Sequence, residues 1–133
     1  MQIAILYAST AVIFLVLDAI MLSTVMKPLF QRHLGDALLE PIRIAPAAAF
    51  YLFYVGVLLW LVTIPALATG PSAKVALNAA LLGAAAYGTY EFTNYATLKA
   101  WSWQMVAVDL TWGTVLTAVA AMGGLWVTRA FTS

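Results

Sequence analysis

Apolar residues fill four long stretches of the chain, Ile3 to Met26, Ala45 to Thr69, Val75 to Leu98 and Met105 to Thr128, separated by short polar links. A hydrocarbon layer of about 30 Å takes about 20 helical residues to cross, and each stretch reaches that length. Lipid offers no partner to irregular backbone, so each stretch predicts a helix with its hydrogen bonds closed internally. The alternating polarity of a barrel strand is absent. The expected fold is therefore all-α: an integral membrane bundle of four transmembrane helices, forming one domain over residues 1–133.

The links differ in character. Gly70, Pro71, Ser72 and Ala73, with Lys74 opening the next helix, form a turn short enough to make the second and third helices an antiparallel pair. Lys99, Ala100, Trp101, Ser102, Trp103 and Gln104 join the third to the fourth, and the two indoles and the lysine read as an interfacial belt. The first link, Lys27 to Ile44, sets Leu29, Phe30, Leu34, Leu38 and Leu39 among Arg32, His33, Asp36 and Glu40. That pattern predicts a short amphipathic interfacial helix closed by Pro41. Small residues recur at every fourth position of the third stretch, in the rows Ala76, Ala80, Ala84, Gly88 and Ala79, Gly83, and return in the fourth at Gly113, Ala120, Gly123 and Gly124. Such faces let helix backbones approach closely.

Composition agrees with a lipid-dissolved chain. Of the 133 residues 65% are hydrophobic and 8% charged, where a soluble domain carries about 25% charged residues. The N-terminal stretch lacks a basic leader and continues past Asp18, so it reads as a retained span, not a cleaved signal. With no cysteine there is neither a disulfide nor a thiolate metal site. Six scattered Lys and Arg residues form no track for a phosphate backbone, so nucleic acid is not an expected partner. Lys27, Arg32, Arg43 and Lys99 fall on one side of the membrane, and Lys74 and Arg129 on the other. This bias places the first and third links of a multi-pass protein in the cytoplasm.

Three acids lie inside the apolar stretches: Asp18, Glu91 and Asp109. Facing lipid in ionised form, each would cost several kcal/mol, so they are expected to face inward. Asp18 precedes Met26, and Glu91 precedes Lys99, by a distance equivalent to about 12 Å of helix, while Asp109 enters from the same face to a depth of about 6 to 8 Å. All three thus occupy one half of the bundle. Tyr87, Glu91 and Asn94 share a helical face flanked by Tyr90 and Tyr95, and Trp112 follows Asp109 by one turn. The candidate site comprises Asp18, Tyr87, Tyr90, Glu91, Asn94, Tyr95, Asp109 and Trp112, with Lys99 and Arg43 at its mouth. Carboxylates so close require a proton, a basic partner or a bound cation. A hydrogen-bonded knot that pins the helices together is the plainer alternative. His33 is the single histidine and reads as a surface residue, and no Glu-x-x-His pair exists, so no metal or other cofactor is expected.

The segments Phe14 to Leu22 (FLVLDAIML), Thr93 to Trp101 (TNYATLKAW) and Val108 to Thr114 (VDLTWGT) resemble the bacterial membrane-protein family known as domain of unknown function 2177. The similarity covers nearly the whole chain. It implies a small four-helix protein of the inner membrane, and supplies no activity, substrate or cofactor. Where the family has an aromatic residue soon after the first-helix aspartate, this chain has Ile20, Met21 and Leu22.

The function these residues lead to is binding or presentation of a small amphiphilic or lipidic molecule in an acidic, aromatic interior site, with membrane lipid as the surrounding partner. Two alternatives stay open: a proton-coupled transporter working as a homodimer, and an accessory subunit whose small-residue faces dock into a larger membrane complex. No nucleophile motif, phosphate loop or cofactor fingerprint points to an enzyme.

Overall fold

The computed structural model describes residues 1–35 and 43–132, and among these it contains helices and no strand. Helix α1 runs through Gln2–Leu34. Helix α2 comprises Ile44–Leu58 and a π-helical turn at Leu59–Thr63. Helices α3 and α4 span Ala73–Thr97 and Trp103–Thr132. By length and composition α1, α2 and α4 are long and apolar enough to cross a membrane. Helix α3 has the length, at 25 residues. Its Ala and Gly rows with Asn78, Glu91 and Asn94 carry less hydropathy, because small side chains bring little apolar area and polar ones subtract from it.

Two boundaries depart from the sequence expectation, and proline explains both. The first helix does not stop at Met26: Lys27–Leu34 continues it through a π-helical turn at Leu22–Met26. Pro28 has no N–H to give the preceding turn, and a wider turn accommodates the missing bond. The Ser23 and Thr24 hydroxyls donate back to the Ile20 carbonyl at 3.1 and 2.7 Å. The described part of the expected interfacial helix is thus the end of α1, with Leu29 buried and Arg32 exposed. The rest of that segment, 36–42, lies outside the described residues. At 33 residues α1 measures about 50 Å, so its last turns project beyond a hydrocarbon layer of about 30 Å. The second helix ends at Thr63 instead of Thr69 because Pro65 removes the next donor, and 64–69 follow as turns.

Caps close the other ends. Ser72 Oγ accepts from the Val75 N–H at 3.2 Å, and Ser102 Oγ from the Met105 N–H at 3.3 Å. At the far end of α4, Arg129 donates to the Leu67 and Ala68 carbonyls at 2.9 and 3.0 Å, which ties the α2–α3 link to the bundle.

Helix α4 is the central element, packed along α3 on one side and α1 on the other. Both pairs are antiparallel. Gln2 meets Thr132 at one end of the α1–α4 pair, Asp18 meets Trp112 within it, and His33 meets Gln104 at the other end. The helices touch where side chains are smallest. A Cβ on Gly124 would collide with Thr10, and one on Gly83 would stand 2.5 Å from the Gly113 carbonyl. Around these contacts Leu6, Phe14, Val55, Leu58, Leu116 and Leu125 are buried completely. Outside, Val12, Val16, Phe53, Trp60, Leu81, Val119 and Trp126 present apolar side chains at the surface. That is the inverse of a water-soluble bundle and what a lipid-facing exterior requires.

Because the Thr10 contact leaves no room for a side chain, Gly124→Val is expected to cost about 1–3 kcal/mol of stability, read by denaturant titration of the detergent-solubilised protein. Gly56→Ala is the control: the nearest atom outside its own helix is a Tyr7 ring carbon 3.9 Å away, so stability should hold or rise. Equal losses at the two positions would contradict the packing described.

Candidate functional site

Regular helical spacing assembles one recess from all four helices. On α1, Asp18, Leu22, Met26 and Phe30 follow at intervals of four and line one wall. Ala47, Phe50, Tyr51 and Tyr54 supply a face of α2, Ala86, Tyr87 and Tyr90 a face of α3, and Asp109 the contribution of α4. The recess, open on one side, has a volume of about 370 Å³, within the 300–1,000 Å³ typical of small-molecule sites. The wall is apolar and aromatic apart from the two carboxyl groups and the tyrosine hydroxyls.

Each acid has a different environment. Trp112 Nε1 donates to Asp18 Oδ1 at 3.1 Å, and the Tyr51 hydroxyl lies within reach of the same carboxyl group. Glu91 is fully buried, and its Oε1 accepts from Trp101 Nε1 at 2.9 Å. Its Oε2 meets no N–H or hydroxyl donor; its neighbour is the Asp109 carboxyl group, with which it interacts directly. Two carboxyl groups in contact are stable only with a proton or a cation between them. Asp109 and Asp18 also act on each other across the recess.

Aromatic rings hold this arrangement in place. Tyr54 is hydrogen-bonded to Thr117 Oγ1 at 2.9 Å and stands edge-on to Tyr87, with ring centroids 6.4 Å apart. Phe14 packs on Tyr51 and Tyr54 from the core side, at 5.8 and 5.6 Å. Trp101 contacts Phe30 and Tyr90 at 5.4 and 5.8 Å. The Tyr87 hydroxyl is buried without a hydrogen-bond partner.

Of the residues singled out from the sequence, Asp18, Tyr87, Tyr90 and Asp109 line the recess. Glu91 stands behind Asp109, Trp112 holds Asp18, and Asn94 is bonded to Tyr90 one turn away. Tyr95 is 48% exposed and forms no part of the wall. Lys99 and Arg43, read as available at the mouth, are also exposed and outside the wall, and the donors to the acids are indoles and a tyrosine. Helices α1 and α2 contribute Met26, Phe30, Phe50, Tyr51 and Tyr54, which sequence reasoning missed. The four-residue series from Asp18 and the Tyr51–Tyr54 spacing were the available signals. Trp101 was read as a belt residue together with Trp103; it turns inward to 7% exposure, whereas Trp103 stays 66% exposed. Among the described residues no three His, Asp or Glu side chains group as ligands for a metal ion.

Removing the donor to a fully buried carboxyl group leaves that group unsatisfied. Trp101→Phe should therefore destabilise the bundle by about 1–3 kcal/mol, against less than about 0.5 kcal/mol for the exposed Trp103→Phe. Chemical denaturation in a mild detergent measures both, and indistinguishable midpoints would remove Trp101 from its role as the partner of Glu91.

Comparison with curated proteins and with solved structures gives no match. The chain does match the family described as "Predicted membrane protein (DUF2177)" over residues 3–126. That span takes in α2 and α3 and most of α1 and α4, with every described residue of the recess, and agrees with the membrane character of the bundle. The chain belongs to the DUF2177 family of membrane proteins.

Proposed function

We propose that the recess binds a small amphiphilic or lipidic molecule, which the protein holds or presents within the membrane. One observation carries this reading: two carboxyl groups from different helices, Asp18 and Asp109, line a single recess whose remaining wall is apolar and aromatic. A hydrogen-bonded knot would bring its acids together with little space between them. Glu91 and Asp109 do meet in this way, whereas Asp18 and Asp109 share the wall of an open recess of about 370 Å³.

The shape of the wall supports an amphiphile in particular. Leu22, Met26, Ala47 and Phe50 offer an apolar lane, and the polar end is confined to the acids and the tyrosine hydroxyls. A molecule with one polar end matches that polarity, and the apolar lane contributes about 25 cal/mol for each Å² of ligand surface it covers. The distribution of Lys27, Arg32, Arg43 and Lys99 against Lys74 and Arg129 favours an orientation with the recess toward the cytoplasmic half of a bacterial inner membrane.

The test is to purify the protein in mild detergent and quantify co-purifying lipids and amphiphiles by mass spectrometry. Asp18→Asn and Asp109→Asn should each lower the retained molecule about tenfold, with the melting temperature of the bundle nearly unchanged. Tyr95→Phe, outside the wall, should retain the wild-type amount. An undiminished amount in both acid variants would reject the reading.

A further inference from the structure

We infer that the polar end of the molecule bound in this recess is a cation, an ammonium-type head group, and that anionic amphiphiles are excluded. The inference rests on the binding reading above and adds the chemistry of the head.

The polar inventory of the recess is one-sided. Among the described residues its wall contains two carboxyl groups and no Lys, Arg or His. Asp109 has the Glu91 carboxyl group as its bonded partner. Behind it the fully buried Glu91 has one oxygen that meets no donor. Three acids are thus served by two indole N–H groups and one tyrosine hydroxyl. Beyond a proton shared by Glu91 and Asp109, the described wall offers them no side-chain N–H donor and no positive charge. An ammonium head supplies both, carrying up to three N–H donors and a full charge.

The walls reinforce the same choice. Tyr51, Tyr54, Tyr87 and Tyr90, with Phe50 and Phe30, line the same recess as the two carboxyl groups. Aromatic rings attract a cation through their quadrupole and are the recurrent lining of ammonium sites. A phosphate or carboxylate head would be set against carboxyl groups and would find no basic side chain in compensation among the described residues of the wall. For an anion at this depth the electrostatic cost is large, because the apolar surroundings screen little.

Calorimetric titration of the full chain in micelles of a neutral detergent tests this with dodecylammonium, dodecanol, dodecanoate and ethylammonium. Dodecylammonium should bind at least about tenfold more tightly than dodecanol or dodecanoate, and Asp18→Asn with Asp109→Asn should reduce it to the level of dodecanol. Ethylammonium, which has the head without the tail, should bind far more weakly. Dodecanoate binding as tightly as dodecylammonium would overturn the cationic head and leave the binding site standing. Failure of all three dodecyl probes to bind the wild-type protein would overturn the binding site itself, and this inference with it. Ethylammonium binding as tightly as dodecylammonium would support the cation and overturn the amphiphile in favour of a small soluble amine.

Discussion

The architecture depends on how closely α4 approaches its two neighbours. At Gly124 the Thr10 side chain occupies the space of a missing Cβ, and at Gly83 the opposing backbone of Gly113 and the Thr117 side chain do the same. These contacts fix the register as well as the distance. Gly83 lies opposite Thr117 in an antiparallel pair, so eight residues onward on α3 and eight back on α4 bring Glu91 to Asp109. By the same logic Thr10 against Gly124 brings Asp18 within a turn of Trp112. Acids that would be costly in lipid are thereby set at one level, facing one another and the indoles that serve them.

Helix α2 has the complementary part. It contacts the others less extensively, and its large residues Phe50, Tyr51 and Tyr54 line the recess, with the Tyr51 hydroxyl reaching Asp18. The Tyr54–Thr117 hydrogen bond and the packing of Phe14 on Tyr51 and Tyr54 fix that placement. Tight packing on two sides of α4 and looser aromatic packing on the third leave a recess at the level of the carboxyl groups.

How much of this was legible beforehand follows from what one-dimensional patterns encode. Apolar length gave the helices, and the rise per residue put Asp18, Glu91 and Asp109 in one half of the bundle. Ala79, Gly83 and Gly113 were recognisable as contact positions, because small residues at four-residue spacing have few other uses in lipid. Rotation was not readable. Helices apolar on every side have no face to tell inside from outside, so the inward turn of Tyr51 and Tyr54 emerged only in three dimensions. Trp101 misled because an indole near a chain reversal is so often interfacial, and its real partner, Glu91, lies in the preceding helix. The continuous α1 was hidden by Pro28, whose usual effect of ending a helix is here absorbed by a wider turn.

Membership of the DUF2177 family establishes a membrane protein; the geometry adds an interior whose carboxyl groups are served by indoles and a tyrosine. The central claim is that the space beside Asp18 and Asp109 exists to be occupied. A high-resolution structure of the protein in native lipid tests it most directly. The account predicts elongated density along Met26 and Phe50 that ends between the two carboxyl groups and the tyrosine rings. A recess collapsed around the acids, with the α2 tyrosines closed onto α3 and no density between them, would contradict it.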